Sequence, residues 1–162
     1  MKKLIYTRPE DNGVSIICPA PKKDLERLLG PLSEEEYEEH VRLRSIPEGV
    51  EVREIDDSDI PESRLFRNAW VDQSAESTID ICCEKARDLV LKRVRDKREK
   101  KLLEQDRRLM QAIRKQEDAS SINKETEALL DITNPLKAMD VKGKLNDKEL
   151  LDKMLEIEAQ LD

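Results

Sequence analysis

Aromatic side chains are nearly missing from this chain of 162 residues: Tyr6, Tyr37, Phe66 and Trp70 are the whole set. Aromatic rings supply much of the bulk of a core, and 41% of the residues are charged, so the sequence is short of material for a large globular interior. Glycine is scarce as well. Gly13, Gly30, Gly49 and Gly143 lie too far apart to form a phosphate-cradling loop. His40 is the only histidine, and no metal-ligating or triad partner lies at a recognisable spacing from it, so it reads as an ordinary surface residue. Cys18, Cys82 and Cys83 are odd in number and lack a CxxC arrangement, which points to reduced thiols. The N-terminal Met1 to Tyr6 is followed at once by Thr7-Arg8-Pro9-Glu10, with no apolar run of signal-peptide or membrane-span length. A protein that stays in the compartment where it is made is expected. Together these absences predict a chain that is not an enzyme, holds no cofactor or metal, and takes no small-molecule substrate.

What is abundant is charge, and it is segregated. Residues 1 to 84 hold 11 Lys/Arg against 20 Asp/Glu, residues 85 to 115 hold 13 against 5, and residues 116 to 162 hold 6 against 12. The net charge of −7 therefore conceals an acidic, basic, acidic order, in which the ends can attract the middle of the same chain or of a second copy.

The first part reads as a small mixed head. Lys3 to Thr7 and Val14 to Cys18 are β-compatible runs around Glu10-Asp11-Asn12-Gly13, a hairpin signal. Pro19-Ala20-Pro21 ends the second strand, and Asp24 to Leu29 reads as a short helix closed by Gly30 and Pro31. Ser33 with Glu36 forms a capping box, and Leu32 with Tyr37 a hydrophobic staple, for a second helix from Glu34 to about Arg44. Val50, Val52 and Ile55 follow as a third strand, and Leu65, Phe66, Ala69 and Trp70 form an apolar cluster expected against the sheet.

From about Glu76 the spacing of Ile79, Cys82, Ala86, Leu89, Val90, Val94, Leu102, Leu109, Met110 and Ile113 predicts one long helix. About 40 residues would reach roughly 60 Å, more than an isolated small domain needs, which argues for a partner helix. Asp118 to Asn123 breaks the pattern, and Glu125 to Ile132 resumes it until Asn134-Pro135, giving a helical hairpin. After Gly143, Asn146 with Glu149 resembles a capping box and Leu145 with Leu150 a staple, opening a C-terminal amphipathic helix. The expected fold is α+β and mainly α: a three-stranded head over 1–73, a long helix and hairpin over 74–134, and a linker with an amphipathic helix over 135–162.

Two stretches are candidate binding surfaces. Leu150, Met154, Ile157 and Leu161 share an apolar face that must be covered, either by the rest of the chain, which is the default, or by a protein partner or second copy. Arg93, Arg95, Arg98 and Lys101 lie in a basic run that would suit nucleic acid. Asp96, Glu99 and Glu104 interleave with that run, and no aromatic residue is there to stack on bases, so a solvated helix face with internal ion pairs is the stronger reading.

Several segments taken together carry a resemblance. Gly13-Val14-Ser15-Ile16-Ile17-Cys18-Pro19-Ala20-Pro21, Ile46-Pro47-Glu48-Gly49, Val52-Arg53-Glu54-Ile55-Asp56-Asp57, Asp59-Ile60-Pro61 and Leu65-Phe66-Arg67-Asn68-Ala69-Trp70 are similar to an uncharacterised family of small bacteriophage and prophage proteins. Ala86-Arg87-Asp88, Arg93, Arg95, Leu102-Leu103, Asp106, Met110 and Leu129-Leu130-Asp131-Ile132-Thr133 with Pro135 look like a helical region shared with tail-fibre-associated sequences. The acidic helix after Ser33 and the segment after Gly143 depart from that pattern. The resemblance implies a phage structural or tail-assembly accessory protein, in a bacterial host cytoplasm or on a virion, that self-associates or binds another protein. It carries no catalytic residues. A regulatory nucleic-acid-associated protein using residues 85–115 is the alternative.

Overall fold

The computed structural model describes residues 2–73 and 78–162 and bears out the mainly helical α+β class. The chain divides into two compact units, one ending at Asp80 and the other beginning at Ile81. The second helix-bearing part and the segment 135–162 thus share one unit.

In the first unit, β1 (Lys2–Thr7) pairs antiparallel with both β2 (Val14–Ile17) and β3 (Val52–Asp56), so the sheet order is β2-β1-β3. The hairpin loop is longer than an Asn-Gly two-residue turn. Arg8 N donates to Gly13 O at 2.8 Å, Asn12 takes a left-handed φ of 51°, and the Asp11 carboxylate accepts from both Gly13 N and the Arg8 guanidinium. Period-two alternation then sorts the side chains: Ile5, Val14 and Ile55 are buried on one face, while Leu4, Tyr6 and Val52 on the other stay half-buried. Of the expected apolar cluster, Phe66, Ala69 and Trp70 are buried but Leu65 is exposed, and Arg53 of β3 forks onto the Asp72 carboxylate.

Between β2 and β3 run α1 (Lys22–Leu29) and α2 (Glu34–Ser45). The Ser33 box forms as read: Glu36 N donates to Ser33 Oγ at 3.1 Å and Ser33 N to the Glu36 carboxylate at 2.8 Å. Only Val41 of α2 is buried, because five of the first six residues of this helix are glutamates and none of those can enter a core.

The long helix starts later than its periodicity predicts. Glu76, the expected start, lies outside the described residues, and Thr78–Ile81 form a strand, β5, paired with β4 (Trp70–Gln73). Ile79 fits the helical spacing to Cys82, but Ile79 and Ile81 together fit strand alternation, and β-branched side chains favour the strand. Helix α3 then runs from Cys83 to Lys115, 33 residues or roughly 50 Å, and ends on Gln116 in the left-handed conformation.

In the second unit α4 (Ser120–Asp131) and α6 (Lys148–Ala159) both pack on α3, with α5 (Asn134–Ala138) between them. α4 begins earlier than expected, next to Asp118, whose carboxylate accepts from Ser120 N at 3.0 Å. α4 ends at Asp131, before Asn134-Pro135 as expected, and Pro135 then sits in the first turn of a separate short helix, α5. Asn146 is not the cap of α6. The cap is Asp147, which accepts from Leu150 N at 3.2 Å, while Asn146 takes a φ of 49° and pairs with Ile81: Ile81 N donates to Asn146 Oδ1 at 2.7 Å, and Asn146 N to Ile81 O at 3.0 Å. Leu145 is bridged to Cys82 instead of stapling Leu150, and Cys83 N donates to Lys144 O at 3.0 Å.

Candidate protein-binding surfaces

The apolar face of α6 turns inward. Met154, Ile157 and Leu161 are buried and Leu150 is half-buried, so the four residues expected to offer a partner surface are covered within this chain. Cys83, Ala86, Val90 and Val94, spaced three and four apart, form the buried stripe of α3. Charge fixes the docking. Arg93 lies 3.0 Å and Lys97 3.5 Å from the Glu158 carboxylate, and Lys97 also reaches Asp162, which raises its ammonium pKa above the usual lysine value.

The basic candidates scatter for the same reason. Arg95 is exposed, whereas Arg93 points to Glu158, and Arg98 and Lys101 are half-buried, so the four do not make one open cationic face. Further along, Arg108 bonds Glu125 of α4 at 2.6 Å and Gln105 donates to the same carboxylate at 2.8 Å, which holds the Glu125 carboxyl below its ordinary pKa. Three cations of residues 85–115, Arg93, Lys97 and Arg108, thus meet carboxylates of α4, α6 or the nearby C-terminal residue Asp162.

No protein family, curated protein or solved structure matches the chain. The surfaces that remain must be read from their own chemistry.

One is the outer face of α3. Leu103, Met110 and Ile113 are 60%, 56% and 60% exposed, on the side of the helix opposite the buried Ala112 for the first two and beside it for the third. Three exposed apolar side chains within three turns of one helix make this face a candidate interaction surface. Lys100, Arg107 and Arg114, each seven residues apart, flank them along one edge, and all three are exposed. Glu99 and Asp106 lie on the other side of Leu103 and Met110, between them and Ile113.

The second is a groove in the first unit that sequence spacing did not reveal. It has a volume of about 750 Å³ and lies between α2 and the half-buried face of the sheet. Leu4 and Val52 from the sheet and Val41 and Ile46 from α2 make an apolar floor. It continues past Glu38, Arg42, Ile46 and Val50 into a hollow of about 680 Å³ beside Leu43, whose side chain is 77% exposed. Along the combined rim stand Glu35, Glu38, Glu39, Glu48, Glu51 and Glu54, against the two cations Lys3 and Arg42. The wall is held in place by Tyr37 Oη, which donates to Ala20 O at 2.9 Å, and by Lys22, which meets Glu34 at 2.8 Å. The acidic run of α2 was visible in the sequence. Its apolar floor was not, because Leu4 and Val52 come together only through strand register.

Proposed function

We propose that the chain is a non-enzymatic assembly protein acting through protein–protein contacts, in the phage-derived structural or tail-accessory setting that its motifs resemble, within a bacterial host cell or on a virion. The observation that carries this reading is the outer face of α3, where Leu103, Met110 and Ile113 stand more than half exposed on a helix of 33 residues. Two-sided helices of this kind gain by covering the second side with another protein. The test is size exclusion with light scattering over a wide concentration range, combined with capture of partners from phage-infected bacterial lysate. A concentration-dependent oligomer or a stoichiometric structural partner is the expected result. A chain that remains a monomer and captures no virion protein removes the reading.

Of the residues in the alternative, nucleic-acid binding through Arg93, Arg95, Arg98 and Lys101, Arg93 is paired with Glu158 of its own chain, and the neighbouring Lys97 meets Glu158 and Asp162. Cations already paired have fewer counterions to release on binding phosphate. No helix among the described residues is long and apolar enough to cross a membrane.

A further inference from the structure

The two unassigned surfaces match in polarity and in part in charge. The groove of the first unit has an apolar floor and a rim of six carboxylates against two cations. The outer face of α3 is an apolar strip edged by Lys100, Arg107 and Arg114, and among the described residues none of these three cations has an ion-pair partner. Their lengths agree too. The groove follows α2 from Glu35 to Ile46, and 12 residues of helix span about 18 Å, while the strip from Lys100 to Arg114 spans about 21 Å.

We infer that the groove between α2 and the sheet is a docking site for the outer face of α3 from a second copy of this chain. This deepens the assembly reading above and rests on it. Leu103 and Met110, one above the other at a spacing of seven, would enter the floor formed by Leu4, Val41, Ile46 and Val52, and Leu43 at the mouth would cover Ile113. The basic edge then faces Glu35, Glu38 and Glu39, which share one face of α2. Helix-in-groove recognition supplies the apolar burial, and the charges set register and orientation. Because groove and strip are different surfaces, the contact is heterologous: each copy keeps one free groove and one free strip until a ring closes or a filament grows.

The experiment uses the full chain in sedimentation equilibrium at about 50 mM and about 500 mM salt, on either side of the concentration at which charges are screened within about 10 Å. Two surface variants are compared with it, Arg107→Glu with Arg114→Glu on the strip, and Glu38→Lys with Glu39→Lys on the rim, each checked for unchanged helix content by circular dichroism. The wild-type chain is expected to self-associate more tightly at low salt. Each variant alone is expected to weaken association by at least ~10-fold, as losing close charge pairs does at an interface. An equimolar mixture of the two is expected to associate again, because the strip variant retains a native groove and the rim variant a native strip. A wild-type oligomer that the rim variant leaves intact overturns the groove pairing while the assembly reading stands. A wild-type chain that is monomeric at both salt concentrations also overturns it, and the assembly reading is then decided by capture of foreign partners alone.

Discussion

The three cysteines show how placement, and not residue type, sets reactivity. Cys18 is exposed after β2, whereas Cys83 is buried at the start of α3, and burial pushes its thiol pKa up. Thiolate is the reacting form, so Cys83 is doubly protected. With a chromogenic thiol reagent near pH 8, Cys18 is expected to be labelled first and Cys83 only after denaturant is added; equal rates for both would contradict this placement. Met154 is a packing residue on the same principle. It is fully buried, and Met154→Ala leaves a void that costs about 2–5 kcal/mol, read as a lower urea midpoint for loss of helix signal. Glu125 offers a pH test. Its carboxyl pKa is depressed by Arg108 and then Gln105, so what this contact contributes is present above the unfolded carboxylate value of about 4.3 and is lost as pH falls through the lower folded value. Following the Glu125 carboxyl by NMR, Arg108→Met should move its midpoint upward.

Among the elements, those with local signals were legible and those defined by distant partners were not. The Ser33–Glu36 box fixed the start of α2 from four residues, and β1, β2 and β3 followed from alternation and turn residues. Ile79 reads as helix because it lies three residues before Cys82 and seven before Ala86, whereas its two-residue spacing to Ile81 fits a strand; pairing with β4 decides for the strand. Asn146 and Asp147 are both good cap formers. Asn146 was taken out of that role by Ile81, 65 residues away, which no local window contains. The same limit applies to the surfaces: the acid run on α2 was readable, while the floor of the groove and the inward turn of α6 depend on register and packing. That inward turn has a measurable consequence. A chain ending at Gly143 loses Met154, Ile157 and Leu161 from the core together with Glu158, so it should lose helix content well beyond the 12 residues of α6. Far-ultraviolet circular dichroism checks this, and a loss limited to α6 itself would show that α3 and α4 hold without it.

At the level of the molecule, the division at Asp80 and Ile81 places the helices α3 to α6 in one unit with its own buried stripe and ion pairs. A fragment of residues 81–162 is therefore expected to fold alone with a cooperative thermal transition and helical circular dichroism. A featureless melt would mean that the unit borrows its stability from residues 1–80. Charge segregation, plain from the sequence, acquires a physical role here: Arg93, Lys97 and Arg108 of α3 are held by carboxylates of α4 and α6, while Lys100, Arg107 and Arg114 are exposed.

The stitch that joins Ile81, Cys82 and Cys83 to Lys144, Leu145 and Asn146 also sets an order of events in time. During synthesis α3 emerges first, and its stripe of Cys83, Ala86, Val90 and Val94 has no α6 to lie on until residues 144–161 have left the ribosome. α3 and α4 are neighbours in sequence and can meet early, but the stitch closes a loop of 65 residues, a slower search than any local turn. For that interval the apolar side of a growing chain is open to whatever is nearby, including the next copy on the same message.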